Sequence, residues 1–161
     1  MDLVYQERVD VTVDAYLRMA REKAGALMGC AMELGALSSS ASPETAQALR
    51  KFGENLGIAS RVREDVRELW EGPADGITAG SDLLNKEKTL PVAYAFAEGS
   101  ISQKRALGNI YFKRVLGPED LGGIAEILNT VGAKTYARNT IKRFLSEAFD
   151  YLDGLEVTSS G

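Results

Sequence analysis

Apolar residues recur every three to four positions along most of the chain, and no stretch alternates apolar and polar residues as a half-buried strand requires. That pattern confines the chain to an all-α architecture. The clearest stretch is Val13, Tyr16, Leu17, Ala20, Ala24, Leu27, Met28, Ala31 and Leu34, one broad apolar stripe on a long helix capped by Thr12. Ser38, Ser39 and Ser40 end it. A second start signal follows, with Ser42 as cap, Pro43 at the first helical position and Glu44 in the first turn. The helix they open runs to about Trp70, and Leu49, Phe52, Leu56, Ala59, Val62, Val66 and Leu69 supply its buried faces.

Residues 72–87 hold Gly72, Pro73, Gly76 and Gly80, a loop of the length that usually carries function. Those glycines lack the strand-then-helix setting that a phosphate loop needs. Thr89 and Pro91 mark another helix start, closed by Gly99. Helices are then expected over 100–116, 118–131 and 133–152, separated by Gly117-Pro118 and by Gly132. The reading is about six helices, two of them long, in one domain over 1–155 with a flexible tail over 156–161.

Composition removes several function classes. The 161 residues are 45% hydrophobic and 26% charged, ordinary for a folded chain. With 19 basic and 23 acidic residues the net charge is −4, which argues against a nucleic-acid surface. There is no histidine, so imidazole catalysis and His-ligated zinc are excluded. Cys30 is the only cysteine, so no intrachain disulfide forms and the cytoplasm is the expected setting. No apolar run reaches membrane-spanning length, and Met1-Asp2-Leu3-Val4 lacks the basic region of a signal peptide. Cys30, amid Leu27, Met28 and Ala31, reads as a buried inert thiol, and Trp70 as a packing residue. Tyr111, Phe112, Tyr136, Phe144, Phe149 and Tyr151 read as core or interface groups.

Glu64, Asp65 and Glu68 lie one and three residues apart near the end of the second long helix, so all three carboxylates are expected on one face. Clustered carboxylates repel by a few tenths of a kcal/mol per exposed pair. Mg²⁺, a hard cation that bridges carboxylates to phosphate, would offset that repulsion. Arg61, Arg63 and Arg67 interleave with the acids, so a solvated face of surface ion pairs is the other reading.

The run Phe52-Gly53-Glu54-Asn55-Leu56-Gly57-Ile58-Ala59, the acidic cluster, Gly80-Ser81-Asp82-Leu83 and Lys88-Thr89-Leu90-Pro91 together resemble the trans-isoprenyl diphosphate synthases. Upstream, Asp10-Val11-Thr12-Val13-Asp14-Ala15-Tyr16-Leu17, Lys23-Ala24-Gly25-Ala26-Leu27 and Glu33-Leu34-Gly35-Ala36-Leu37 keep the same register. The resemblance covers roughly residues 1–95 and is to the carboxyl-terminal half of such enzymes. It implies half of an isoprenoid synthase-type helical barrel. Members condense an allylic diphosphate with isopentenyl diphosphate, using Mg²⁺ held by two aspartate-rich motifs.

Carried over residue by residue, the second motif falls on Glu64, Asp65 and Glu68 as metal ligands, with two aspartates replaced by glutamates. Lys23 matches a lysine that contacts the allylic diphosphate, while its usual threonine neighbour is Ala24. The Phe-Gln pair before the motif reads Ser60-Arg61. One loop lysine is replaced by Ile77. A second lands on Glu87 with Lys86 at the preceding glycine position, so that Lys86 and Lys88 become the candidate diphosphate contacts. Asp82, behind the ligands, is retained. The first aspartate-rich motif has no counterpart. The resemblance therefore implies a chain inactive alone, partnered by a second copy or by an amino-terminal half, with a prenyl diphosphate as ligand. It also implies that the inward faces of helices 12–37 and 42–70 lack cover. The alternative is a non-catalytic interaction or regulatory subunit that keeps the helical framework.

Overall fold

Local chemistry sets the helix ends. Thr12 Oγ1 accepts from the Ala15 N–H at 3.1 Å, and Ser42 Oγ accepts from the Thr45 N–H at 3.2 Å, so both expected caps operate. The computed structural model describes residues 11–71, 84–153 and 155. Helix α1, Val13–Ala20, passes through a π-helical turn, Arg21–Gly25, into α2, Ala26–Ser38. Helix α3 spans Pro43–Trp70, α4 Leu90–Glu98, α5 Ile101–Tyr111, α6 Pro118–Thr130 and α7 Ala133–Asp150. The all-α expectation holds: no strand occurs among the described residues, and none of their helices is long and apolar enough to cross a membrane. The expected tail and most of the expected 72–87 loop lie outside the described residues.

Helix α5 stops at Tyr111, short of the expected 116. The Asp120 carboxylate, in the first turn of α6, takes the Gly117 N–H at 3.0 Å and the Lys113 ammonium at 2.5 Å. These bonds accompany a turn over 112–117 that leaves Phe112 and Val115 exposed. Lys113 and the Gly117 N–H hold the Asp120 carboxyl below the usual carboxylate range. Gly132, at φ +80, makes the left-handed step between α6 and α7.

The chain divides into two compact units. One comprises the described residues of Met1–Arg18 and Val62–Asn139. Val92, Leu107, Tyr111, Ile124, Leu128 and Ala133 form its core, and each large aliphatic group among them contributes about 1.5–3 kcal/mol. Trp70 is the packing residue expected: its Nε1–H donates to Asn129 Oδ1 at 2.8 Å, and the Lys134 ammonium lies 5.5 Å from its ring. Tyr94 stacks on Tyr136 with ring centroids 4.0 Å apart.

The other unit comprises the described residues of Met19–Arg61 and Thr140–Gly161. Here glycines let two helices meet backbone to backbone. A Cβ at Gly57 would lie 2.4 Å from the Ala24 carbonyl oxygen and 2.8 Å from the Gly25 Cα, and one at Gly53 would lie 2.6 Å from the Met28 carbonyl oxygen. Gly25, Gly29 and Ala36 are therefore the buried side of this rod. That choice corrects part of the expected stripe. Leu27 and Leu34 are 74% and 57% exposed, Leu37 is 53% exposed, and Cys30 beside them is exposed rather than buried. Among the aromatic groups, Tyr111 and Phe144 are core, whereas Phe112, Phe149 and Tyr151 are exposed.

Gly57→Ala should lose about 1–3 kcal/mol in denaturant unfolding, because its neighbours are backbone atoms that cannot rotate away. Gly35→Ala, with nothing within 4 Å, should be neutral or gain up to about 1 kcal/mol from helix propensity.

Candidate functional site

An α-helix turns about 100° per residue, so Asp65 points well away from its neighbour Glu64. On α3 Glu64 is exposed, Glu68 is half-buried and Asp65 has no exposed surface. The three carboxylates therefore do not share one solvent-facing stripe, contrary to expectation. Asp65 Oδ2 accepts from the Tyr16 hydroxyl at 2.7 Å and from the Leu90 N–H at 2.8 Å. Among the described residues no group of three acidic or cysteine side chains converges in an arrangement able to hold a metal ion. Asp65 is thus turned into the interior, while Glu64 is exposed and Glu68 half-buried. The expected surface pairing has a counterpart at Arg63, whose guanidinium meets Glu71 at 2.8 Å.

The segment before α4 carries the two candidate lysines. Lys86 has φ +58, the left-handed conformation that favours glycine, at the position where the resemblance expects glycine. Its ammonium donates to the Lys113 carbonyl oxygen. Lys88 is buried, donates to the Lys86 carbonyl oxygen at 3.1 Å and holds its ammonium 4.4 Å from the Tyr111 ring centroid. Burial, with the charge of Lys86 second, lowers its pKa to about 8. Burial also raises the Tyr111 hydroxyl. Lys23 belongs to the other unit, exposed in the π-helical turn. Asp82 and Ile77 lie outside the described residues.

A model of the polyprenyl synthetase family matches residues 1–129. The chain belongs to that family. The (2E,6E)-farnesyl diphosphate synthase of Mycobacterium tuberculosis H37Rv is 29% identical over 153 residues, 92% of this chain and 43% of that protein. The polyprenyl synthetase of Streptomyces coelicolor A3(2) superimposes with a TM-score of 0.87 at 28% identity, covering 98% of this chain and 48% of that one. A geranylgeranyl pyrophosphate synthase of Corynebacterium glutamicum, solved with calcium and isoprenyl diphosphate, matches at a TM-score of 0.78 and 29% identity over 91% of this chain and 45% of that one. The chain thus spans about half the length of these relatives.

In the sequence Tyr16 stands in an apolar stripe and in the family register, with nothing that assigns its hydroxyl or the Leu90 amide a role. The one available hint was the phenol itself, since a tyrosine buried in such a stripe needs a partner for its hydroxyl.

The lowered pKa of Lys88 has a signed consequence. Between about 8 and the unfolded value of about 10.4 the unfolded chain binds more protons there than the folded one. Lys88 should therefore make stability rise with pH across that window. Denaturant unfolding at pH 8 and pH 10 should show the rise in the native chain and a flatter profile in Lys88→Met.

Proposed function

We propose that this polyprenyl synthetase-family chain forms the carboxyl-terminal wall of a trans-isoprenyl diphosphate synthase and makes no product alone. The carrying observation is the superposition of 98% of the chain on about half of a solved polyprenyl synthetase. Lys86 in one unit and Lys23 in the other are each proposed to meet a prenyl diphosphate, and Lys88 would do so only by leaving its buried place against the Tyr111 ring. Mg²⁺ contact is confined in this reading to Glu64 and Glu68, because Asp65 is buried and bonded elsewhere. When bound, Mg²⁺ would neutralise charge on a leaving diphosphate. The cytoplasm suits a chain with one exposed thiol.

The departures at chemical positions support inactivity. Arg61 and Glu87 stand where the resemblance expects glutamine and lysine. Losing one preorganised charge-stabilising group costs about 10²–10³ in rate, so several losses together take turnover below detection. The purified chain, given labelled isopentenyl diphosphate, Mg²⁺ and dimethylallyl, geranyl or farnesyl diphosphate, should yield no longer product. Labelled product from the pure chain would defeat this reading.

The exposed Leu27, Leu34 and Leu37 give α2 an apolar face for a complementary amino-terminal half or, in the pure chain, a second copy. Sedimentation at micromolar concentration should show self-association that Leu27→Lys combined with Leu34→Glu weakens. A monomer in both cases would remove the surface from the proposal. The same Glu87 and Arg61 substitutions also favour a second reading, a non-catalytic subunit. That reading requires the chain to alter the activity of a complete synthase it binds without supplying any group to the reaction.

A further inference from the structure

We propose that Asp65 is an internal strut that seats helix α4, and that it has this role instead of that of a metal ligand. The inference stands apart from the proposed function, because it rests on bonds within one unit of the chain. Helix α4 is preceded by Thr89 at the N-cap position, whose side chain makes no capping hydrogen bond. Pro91, in its first turn, has no N–H to offer. The Leu90 N–H is therefore the leading donor of this helix end, and its acceptor is Asp65 Oδ2 at 2.8 Å, 25 positions upstream. The same oxygen accepts from Tyr16 Oη at 2.7 Å, 49 positions before Asp65. One carboxylate oxygen thereby joins α1, α3 and α4.

The site is buried as well as connected. Tyr16 and Asp65 are both without exposed surface, and Leu90 beside them is equally buried. A negative group at a helix N-terminus is favoured by the helix dipole, and a bond to a charged group gains in low dielectric. Both hydrogen bonds fall on Oδ2, and Oδ1 is buried with it, so a cation from solvent reaches neither oxygen unless the side chain leaves the position these bonds hold. Leaving it would also draw a buried carboxylate across the boundary that leaves Glu64 outside. The segment bearing Lys86 and Lys88 leads directly into Leu90, so the strut fixes where that segment ends.

The test compares Asp65→Ala, Asp65→Asn and Tyr16→Phe by denaturant unfolding, amide hydrogen exchange and Mn²⁺ broadening of backbone resonances. Asp65→Ala should raise the unfolding equilibrium constant about tenfold or more and speed Leu90 amide exchange by a similar factor. Asp65→Asn keeps an acceptor oxygen and should hold Leu90 exchange within about threefold of the native chain. It should leave the native Mn²⁺ response of 64 and 68, whether present or absent, unchanged. Tyr16→Phe should be destabilised by a few-fold, and its effect should shrink in the Asp65→Ala background. If Asp65→Ala does not fold, Tyr16→Phe and Asp65→Asn decide. The strut is overturned if Tyr16→Phe matches the native chain in stability. It is equally overturned by an Asp65→Asn chain with native Leu90 protection that has lost a Mn²⁺ response seen in the native chain.

Discussion

In the unit of Met19–Arg61 and Thr140–Gly161, two helices meet backbone to backbone. At Gly53 and Gly57 there is no room for a single side-chain carbon, because the carbonyls of Met28 and Ala24 occupy the space. Interiors are packed to the density of organic crystals, so such a contact admits one arrangement and few neighbours to it. It selects which side of the 26–38 helix is inside. Once Gly25, Gly29 and Ala36 face inward, Leu27, Leu34 and Leu37 have no choice but the outside. The exposed apolar face is a consequence of glycine placement rather than a separate feature.

Charges are treated by the same logic of burial and partnership. In the unit of Met19–Arg61 and Thr140–Gly161, Glu54 is buried but Lys51 and Arg50 reach it at 2.9 and 3.1 Å. Burial pushes its carboxyl up, and the two cations outweigh that and hold it below its usual range. In the other unit Asp65 takes its bonds from a phenol and a helix end, while the cation Lys88 lies against the Tyr111 ring. The acidic motif and the lysine segment, both chemical positions by resemblance, have each sent one member into the interior. That is a different use of the framework from offering every charged group to a ligand.

The helix starts were legible because caps are local. Thr12, and Ser42 with Pro43, each act on donors within three residues, so their effect needs no knowledge of the rest of the fold. Trp70 and Glu98 ended helices where the sequence signals placed them. The end of α5 was misplaced because Asp120, nine residues past Tyr111, shapes the turn through Gly117 and Lys113. The Asp65 site was the least legible part. Helical spacing showed that three acids were close, but a spread of about 100° between neighbours could fall wholly outside or straddle the surface.

What the sequence by itself determined is therefore the local and the repeated: an all-α chain, the caps, the family register of its glycines and leucines, and the presence of an acidic motif. These follow from periodicity and from interactions across one helical turn. What only the tertiary structure decided is which side of each helix is inside. Burial of Asp65 depends on Tyr16 and Leu90 arriving from 49 and 25 positions away, and exposure of Leu27 depends on how closely Gly57 approaches Ala24. Periodicity marks an apolar stripe but not its cover, because cover is supplied by residues distant in the chain.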